Sequence, residues 1–258
     1  GVRQRRVKND EELEHLRAVQ KITEATMEMA CSLIGRSPAD AEGVLQHEGA
    51  ALTSERVRQL ISRFVLDHDC TTLHDSIVVT VPHVADCHHF GTGPLRKDLP
   101  VIVDIFPTHN HTHYCGDCTR TVVNGDVSDI VRDMHACVVR ANAAGCAALQ
   151  PGTTGQAVHE AVAAVIREDG YSMGAPTSEK DEEWIGMRHG TGHGIGLDVH
   201  EPILLATGGG EILEREVFTV EPGLYSAIHG GVRVEDMVAV TATGHENFNQ
   251  LHSELDWR

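Results

Sequence analysis

Three acidic residues interrupt segments that are otherwise apolar: Asp104 in VIVDIF, Glu221 in VFTVEPGLY and Glu235 in GVRVEDMVAV. Such segments read as buried strands. Burying an ionised carboxylate costs several kcal/mol unless a cation or hydrogen-bond donors compensate it. A single acid of this kind pairs readily with an arginine or with backbone amides. Three of them ask for a common compensator, and a metal centre is one, because hard divalent cations prefer carboxylate oxygen and two of them absorb several negative charges.

Two further segments point the same way. Asp117, in GDCTRT, follows Asp104 by thirteen residues, and an intervening hairpin would bring both carboxylates to one side. Asp beside Thr is also ordinary turn chemistry. The segment HGTGHGIGLDVHEP carries His189, His193 and His200. His189 and His193 have the i, i+4 spacing of helical zinc sites, yet Gly190, Gly192, Gly194 and Gly196 would each cost about 1 kcal/mol in a helix interior. The segment is therefore a loop or strand whose glycines leave room for metal and substrate.

Around these motifs the chain alternates in period. Asn9 to about Ile34 is a long amphipathic helix behind an Asn9-Asp10 cap, and a second helix follows Thr53-Ser54. Ser76 to Val81, Val101 to Phe106 and Thr119 to Val123 are β-branched and bounded by turn signals, hence strands. Helices return from Asp126-Val127 to Gln150 and from Thr153-Thr154 to about Glu168. Strands follow near Ile185 to Met187, Glu216 to Glu221 and Gly231 to Thr241. Helices then strands, twice over, suggest an α+β fold of two similar halves around a shared sheet.

The 258 residues suffice for an unaided core, and no run of about 18 apolar residues or signal-type segment occurs. A soluble, cytoplasmic protein is expected, with no membrane partner. Its start at Gly1 rather than Met suggests that an upstream segment has been removed. A net charge of -17 repels phosphates, so nucleic acid is not an expected partner. The same bias suits either a salt-adapted protein or an ordinary acidic cytosolic enzyme. Seven scattered cysteines are an odd number and not a secreted disulfide framework. Cys115 and Cys118 form a CxxC, which invites a zinc or redox reading, but no second pair follows at finger spacing.

In order, VIVDIF, GDCTRT, HGTGHGIGLDVHEP, VEPGLY and GVRVED resemble the five-ligand signature of the pita-bread metallopeptidases, which include methionine aminopeptidase, aminopeptidase P and prolidase. The likeness spans nearly the whole chain. It implies one catalytic domain over 1–258 with pseudo-symmetric halves of roughly 1–124 and 125–258, helices being packed around a curved antiparallel sheet. It implies two divalent metal ions held by Asp104, Asp117, His193, Glu221 and Glu235, with Asp117 and Glu235 bridging. Four carboxylates to one imidazole favour manganese, with cobalt, iron or zinc able to substitute. By the same likeness His200 and His88 face the scissile region, Glu221 shuttles a proton, and His189 and Arg233 join His200 and His88 in contacting a small peptide. His89 and His83 compete with His88 for that place.

Arg233 in GVRVED, together with GDCTRT, favours the branch that cleaves Xaa-Pro bonds, because methionine aminopeptidases usually lack that arginine. There are two departures. The stretch between Asp104 and Asp117 is about two residues longer than is usual and holds His109, His111 and His113, either stray metal ligands or a solvated loop. Nothing corresponds to the N-terminal domain that Xaa-Pro peptidases usually carry, which bears on substrate choice more than on chemistry. The resemblance leaves room for a homodimer. The competing readings are a methionine aminopeptidase, a non-catalytic binding module on the same fold, and an isolated catalytic half.

Overall fold

The structure, a computed structural model, describes residues 1–258 except Cys87, Glu179, Lys180 and Glu182. Its helices are α1, Val2–Arg6, α2, Asp10–Arg36, α3, Ser54–Leu66, α4, Asp129–Ala148, and α5, Gly155–Glu168. A capping box starts α2: Asn9 Oδ1 accepts from the Glu12 N–H at 2.9 Å, and Glu12 Oε2 accepts from the Asn9 N–H at 2.7 Å. The hydroxyls of Thr53, Ser128 and Thr154 cap the next three helices by accepting from Arg56, Val131 and Ala157 N–H groups. Helix α1 was not foreseen. VRQRR has no apolar period and buries nothing, and ion pairs to distant residues, such as Arg6 with Glu216, hold it in place.

In the first half, Ile77–Val79 (β1), Pro100–Ile105 (β2) and Cys118–Val123 (β3) form an antiparallel sheet in that order. Asp104 stands opposite Thr119 in this ladder. Side chains alternate along a strand, so Asp117, two residues ahead of Thr119, falls on the same face as Asp104. The expected hairpin geometry thus holds. Helices α2 and α3 cover the other face: Met27, Ala30, Ile34, Val57 and Ile61 pack with Val101, Val103 and Ile105 into one fully buried cluster.

The second half carries Ser172–Met173 (β4), Gly186–Met187 (β5), Gly192–Gly194 (β6), Glu201–Leu205 (β7), Val217–Val220 (β8), Gly223–Ser226 (β9), Gly230–Arg233 (β10), Asp236–Thr241 (β11) and Gly244–Asn247 (β12). They divide into a four-stranded sheet of order β10-β9-β5-β4 and a five-stranded sheet of order β7-β6-β8-β11-β12. Every pairing among the described strands is antiparallel except β4 with β5. Helices α4 and α5 pack against this half through Val131, Met134, Val138, Val162 and Ile166, which meet Leu224 and Val232. This arrangement of helices around antiparallel sheets is the α+β class expected from the sequence.

The expected strand Gly231 to Thr241 proves to be two, since the chain leaves one sheet at Arg233 and joins the other at Asp236. Glu235 sits in that break. Its N–H donates to Thr119 O of the first half at 3.0 Å. Thr121 Oγ1 adds a second stitch, donating to Arg233 O and accepting from Arg233 N–H. The two halves therefore meet at the positions of the interrupting acids. Among the described residues, no helix is long and apolar enough to cross a membrane.

Candidate metal centre

All five predicted ligands reach one place. Asp104 comes from β2 and Asp117 from the residue before β3; His193 is the middle residue of β6, Glu221 is the residue after β8, and Glu235 occupies the break between β10 and β11. Asp117, His193 and Glu235 each offer a ligand atom, and these atoms all lie within 4.8 Å of one another. His193 Nε2 is 3.7 Å from Asp117 Oδ2 and 3.4 Å from Glu221 Oε1. Local backbone packing makes this possible. A Cβ at Gly192 would sit 1.8 Å from Thr219 O, so only glycine lets β6 approach β8 so closely.

Hydrogen bonding fixes how each group presents itself. His193 Nδ1 lies 2.9 Å from Gly194 O, so the ring donates there and turns the Nε2 lone pair towards the carboxylates. Burial depresses its pKa to about 4, which keeps it neutral. Thr219 Oγ1 accepts from the His193 N–H and donates to Glu221 Oε1. The Thr119 hydroxyl donates to Glu235 Oε2 at 2.6 Å. Gln20 of α2 brackets Asp117 from behind, its Nε2 donating to Asp117 O at 2.6 Å and its Oε1 accepting from Asp117 N–H at 3.0 Å.

The carboxylates are short of donors. Asp104 shares Oδ2 with Arg233 Nη2 at 2.9 Å, so the private arginine pairing does occur for this one acid, but its buried Oδ1 has no hydrogen-bond partner among the described residues. Burial, then the charges of Glu235, Asp104 and Glu221, push Asp117 well up. Burial, with Glu221 and Asp104 behind it, does the same to Glu235. Glu221 rises to about 7, mainly through burial, with Arg233 opposing. Lone pairs from a neutral imidazole and four acids thus converge with a single guanidinium to balance them. That donor set fits hard divalent cations.

A cavity of about 590 Å³ opens onto this cluster, and His88, His189, His200 and Arg233 line it with the four acids and the His193 imidazole. Such a volume suits a small peptide. The His200 ring lies tilted against the His193 ring, the centroids 4.2 Å apart. His189 donates through Nδ1 to Gly190 O, so its Nε2 accepts from the Tyr225 hydroxyl at 2.6 Å, and burial depresses it to about 4. Arg233 Nη1 donates to the same Tyr225 oxygen at 2.9 Å. Of the three competing histidines, His88 reaches the cavity, while His83 and His89 stack on each other at 4.4 Å. His109, His111 and His113 lie outside it, in a turn where His111 approaches Asp69. Cys115 and Cys118 are buried free thiols whose pKa values burial raises, so the CxxC offers no thiolate. Cys87 lies outside the described residues.

Sequence reasoning missed Gln20, Thr119, Thr219, Tyr225 and Arg120. Thr119 and Thr219 each stand two residues from a ligand acid, a period-2 signal that was there to be read. Arg120 is fully buried and donates to Thr119 O, Glu235 O and Asp236 Oδ1, clamping the strand break that carries Glu235.

Three comparisons bear on this geometry. A family model described as metallopeptidase family M24 matches residues 14–242. The chain is 35% identical over 181 residues to a probable dipeptidase, PepE, of Mycobacterium tuberculosis, a match covering 69% of this chain and 45% of that protein. Among solved structures, it resembles the X-Pro aminopeptidase of Thermotoga maritima MSB8, with a TM-score of 0.81 and 26% identity, and the Xaa-Pro dipeptidase of Bacillus anthracis, with a TM-score of 0.82 and 28% identity. Each superposition covers 98% of this chain and 64% of the other. The chain therefore spans less than two thirds of the length of these relatives.

Proposed function

This chain belongs to metallopeptidase family M24, and from that premise we propose that it hydrolyses the first peptide bond of short peptides in which proline follows the scissile bond. The observation that carries the reading is the convergence of Asp104, Asp117, His193, Glu221 and Glu235 on the floor of one peptide-sized cavity. These five would hold two divalent cations, manganese above cobalt, iron or zinc, with Asp117, His193 and Glu235 offering the most closely grouped ligand atoms. When bound, the cations supply a water of lowered pKa and a Lewis acid for the scissile carbonyl.

The side chains do the rest. His193 presents a neutral Nε2, fixed by its bond to Gly194 O. His200 and His88 line the cavity where N–H donors stabilise charge developing on the carbonyl oxygen. Glu221, with Oε1 3.4 Å from His193 Nε2 at the cavity, is placed to take a proton from water and pass it to the departing nitrogen. A prolyl nitrogen must be protonated to leave, since in the substrate it carries no hydrogen. Arg233 holds Asp104 in place and, with His189, lines the cavity against the substrate, Tyr225 joining the two from behind. Similarity to a probable dipeptidase and to Xaa-Pro-cleaving structures supports the substrate class. The free thiols among the described cysteines agree with a cytoplasmic setting.

The test is turnover of Xaa-Pro dipeptides, longer Xaa-Pro peptides and Met-Ala peptides with added manganese. Cleavage of Xaa-Pro bonds is expected. Turnover of Met-Ala alone would transfer the protein to the methionine aminopeptidase branch, and no turnover in manganese-loaded protein would favour a binding module.

A further inference from the structure

His200 follows His193 by seven residues, and the path between them is folded around one buried carboxylate. Glu201 is 4% exposed. Its Oε1 accepts from the N–H groups of Leu197 at 3.0 Å and Asp198 at 3.3 Å, so the carboxylate fills the inside of the 196–200 turn. A Cβ at Gly196 would lie 2.8 Å from Glu201 Oε2, so a side chain there would have to displace the carboxylate from the turn. Two cations reach the same carboxylate: Arg5 Nη2 at 2.8 Å and Lys8 Nζ at 3.1 Å. The Arg5 side chain is 45% exposed and that of Lys8 only 3%, so Lys8 is the partner shielded from water. Lys8 is itself fixed by its backbone, its N–H donating to Arg215 O and its carbonyl accepting from Arg215 Nε.

We infer that Lys8 is a positioning residue for His200: by neutralising Glu201 it holds the turn that aims the imidazole into the cavity. Lys8 lines neither the cavity nor the five-group cluster, and its influence runs through Glu201. A buried carboxylate stripped of its ammonium is costly. The nearest relief is for the turn to open and admit water, which carries His200 away. His193 stays, because it is locked into β6 between β7 and β8. The inference rests on His200 acting in the reaction proposed above.

The test uses the full chain loaded with manganese. Lys8→Met is expected to lower kcat on an Xaa-Pro peptide by at least about tenfold, with KM and bound manganese within about twofold of the unsubstituted protein. Hydrogen exchange read by mass spectrometry should accelerate at 196–200 and nowhere else. The double variant Lys8→Met/Glu201→Gln keeps an acceptor for Leu197 and Asp198 without a buried charge, and is expected to regain the exchange protection and most of kcat. Unchanged exchange at 196–200 in Lys8→Met would overturn the inference, as would a double variant no better protected than the single one. Should Lys8→Met not fold, the double variant alone decides: a protected turn supports the inference and an unprotected one refutes it. If the unsubstituted chain cleaves no peptide, the reaction assignment falls, while the exchange comparison still decides whether Lys8 holds the turn.

Discussion

Stripped of divalent metal, the protein should become more stable when Glu221 is replaced by glutamine. Burial pushes the Glu221 carboxyl from an ordinary 4.5 to about 7, Arg233 opposing and the charge of Asp104 adding to it. The folded protein then holds this proton more tightly than the unfolded chain does. Stability present below about pH 4.5 is lost as pH rises to about 7 and stays lost above it. The displacement corresponds to about 3 kcal/mol, and glutamine, which cannot ionise, escapes it. His189 and His193, both depressed to about 4, act in the opposite sense, adding stability as pH rises from about 4 to 6.5. They are common to both proteins and cancel in the difference. Urea unfolding in EDTA should therefore show Glu221→Gln level with the unsubstituted protein near pH 4 and about 3 kcal/mol more stable at pH 7.5, on the order of 10 °C in Tm. Divalent metal should reverse the order, since a site occupied at a hundred times its Kd contributes about 2.7 kcal/mol and the variant lacks one ligand. A difference that does not change with pH, or a variant that is the less stable protein in EDTA at pH 7.5, would refute the reasoning.

Other outcomes follow from the same geometry. Asp117→Asn and Glu235→Gln should each lower kcat/KM by more than about a hundredfold with an unchanged far-UV circular dichroism spectrum, because even supporting residues of metal sites cost ten- to a hundredfold. Arg120→Met strands Asp236 and several carbonyls in the interior and should cost about 3 to 5 kcal/mol in urea unfolding. Tyr225→Phe removes the hydroxyl shared by His189 and Arg233 and should cost about 1 to 3 kcal/mol, measured in the same way.

The site was legible because its chemistry is costly anywhere else. Asp104, Glu221 and Glu235 announce themselves by breaking apolar strands, and Gly192 marks a close approach to the Thr219 backbone that no side chain would permit. Helices were legible through their caps, since Asn9, Thr53 and Thr154 each precede an apolar period. What escaped depends on contacts far apart in sequence. Gln20 reaches Asp117 across 97 residues, and α1 is held by ion pairs rather than by a stripe of its own. The break at Glu235 was hidden because β10 and β11 read as one apolar run, and only the pairing with Thr119 divides them. His88 could not be told from His83 and His89 in sequence, because packing alone decides which ring enters the cavity.

Anomalous diffraction at the manganese edge, from crystals grown with the metal, addresses the account most directly. Two peaks are expected, one within coordination distance of His193 Nε2 and both within reach of Asp117 and Glu235. Peaks confined to His109, His111 and His113, or density without any peak among the four acids, would contradict it.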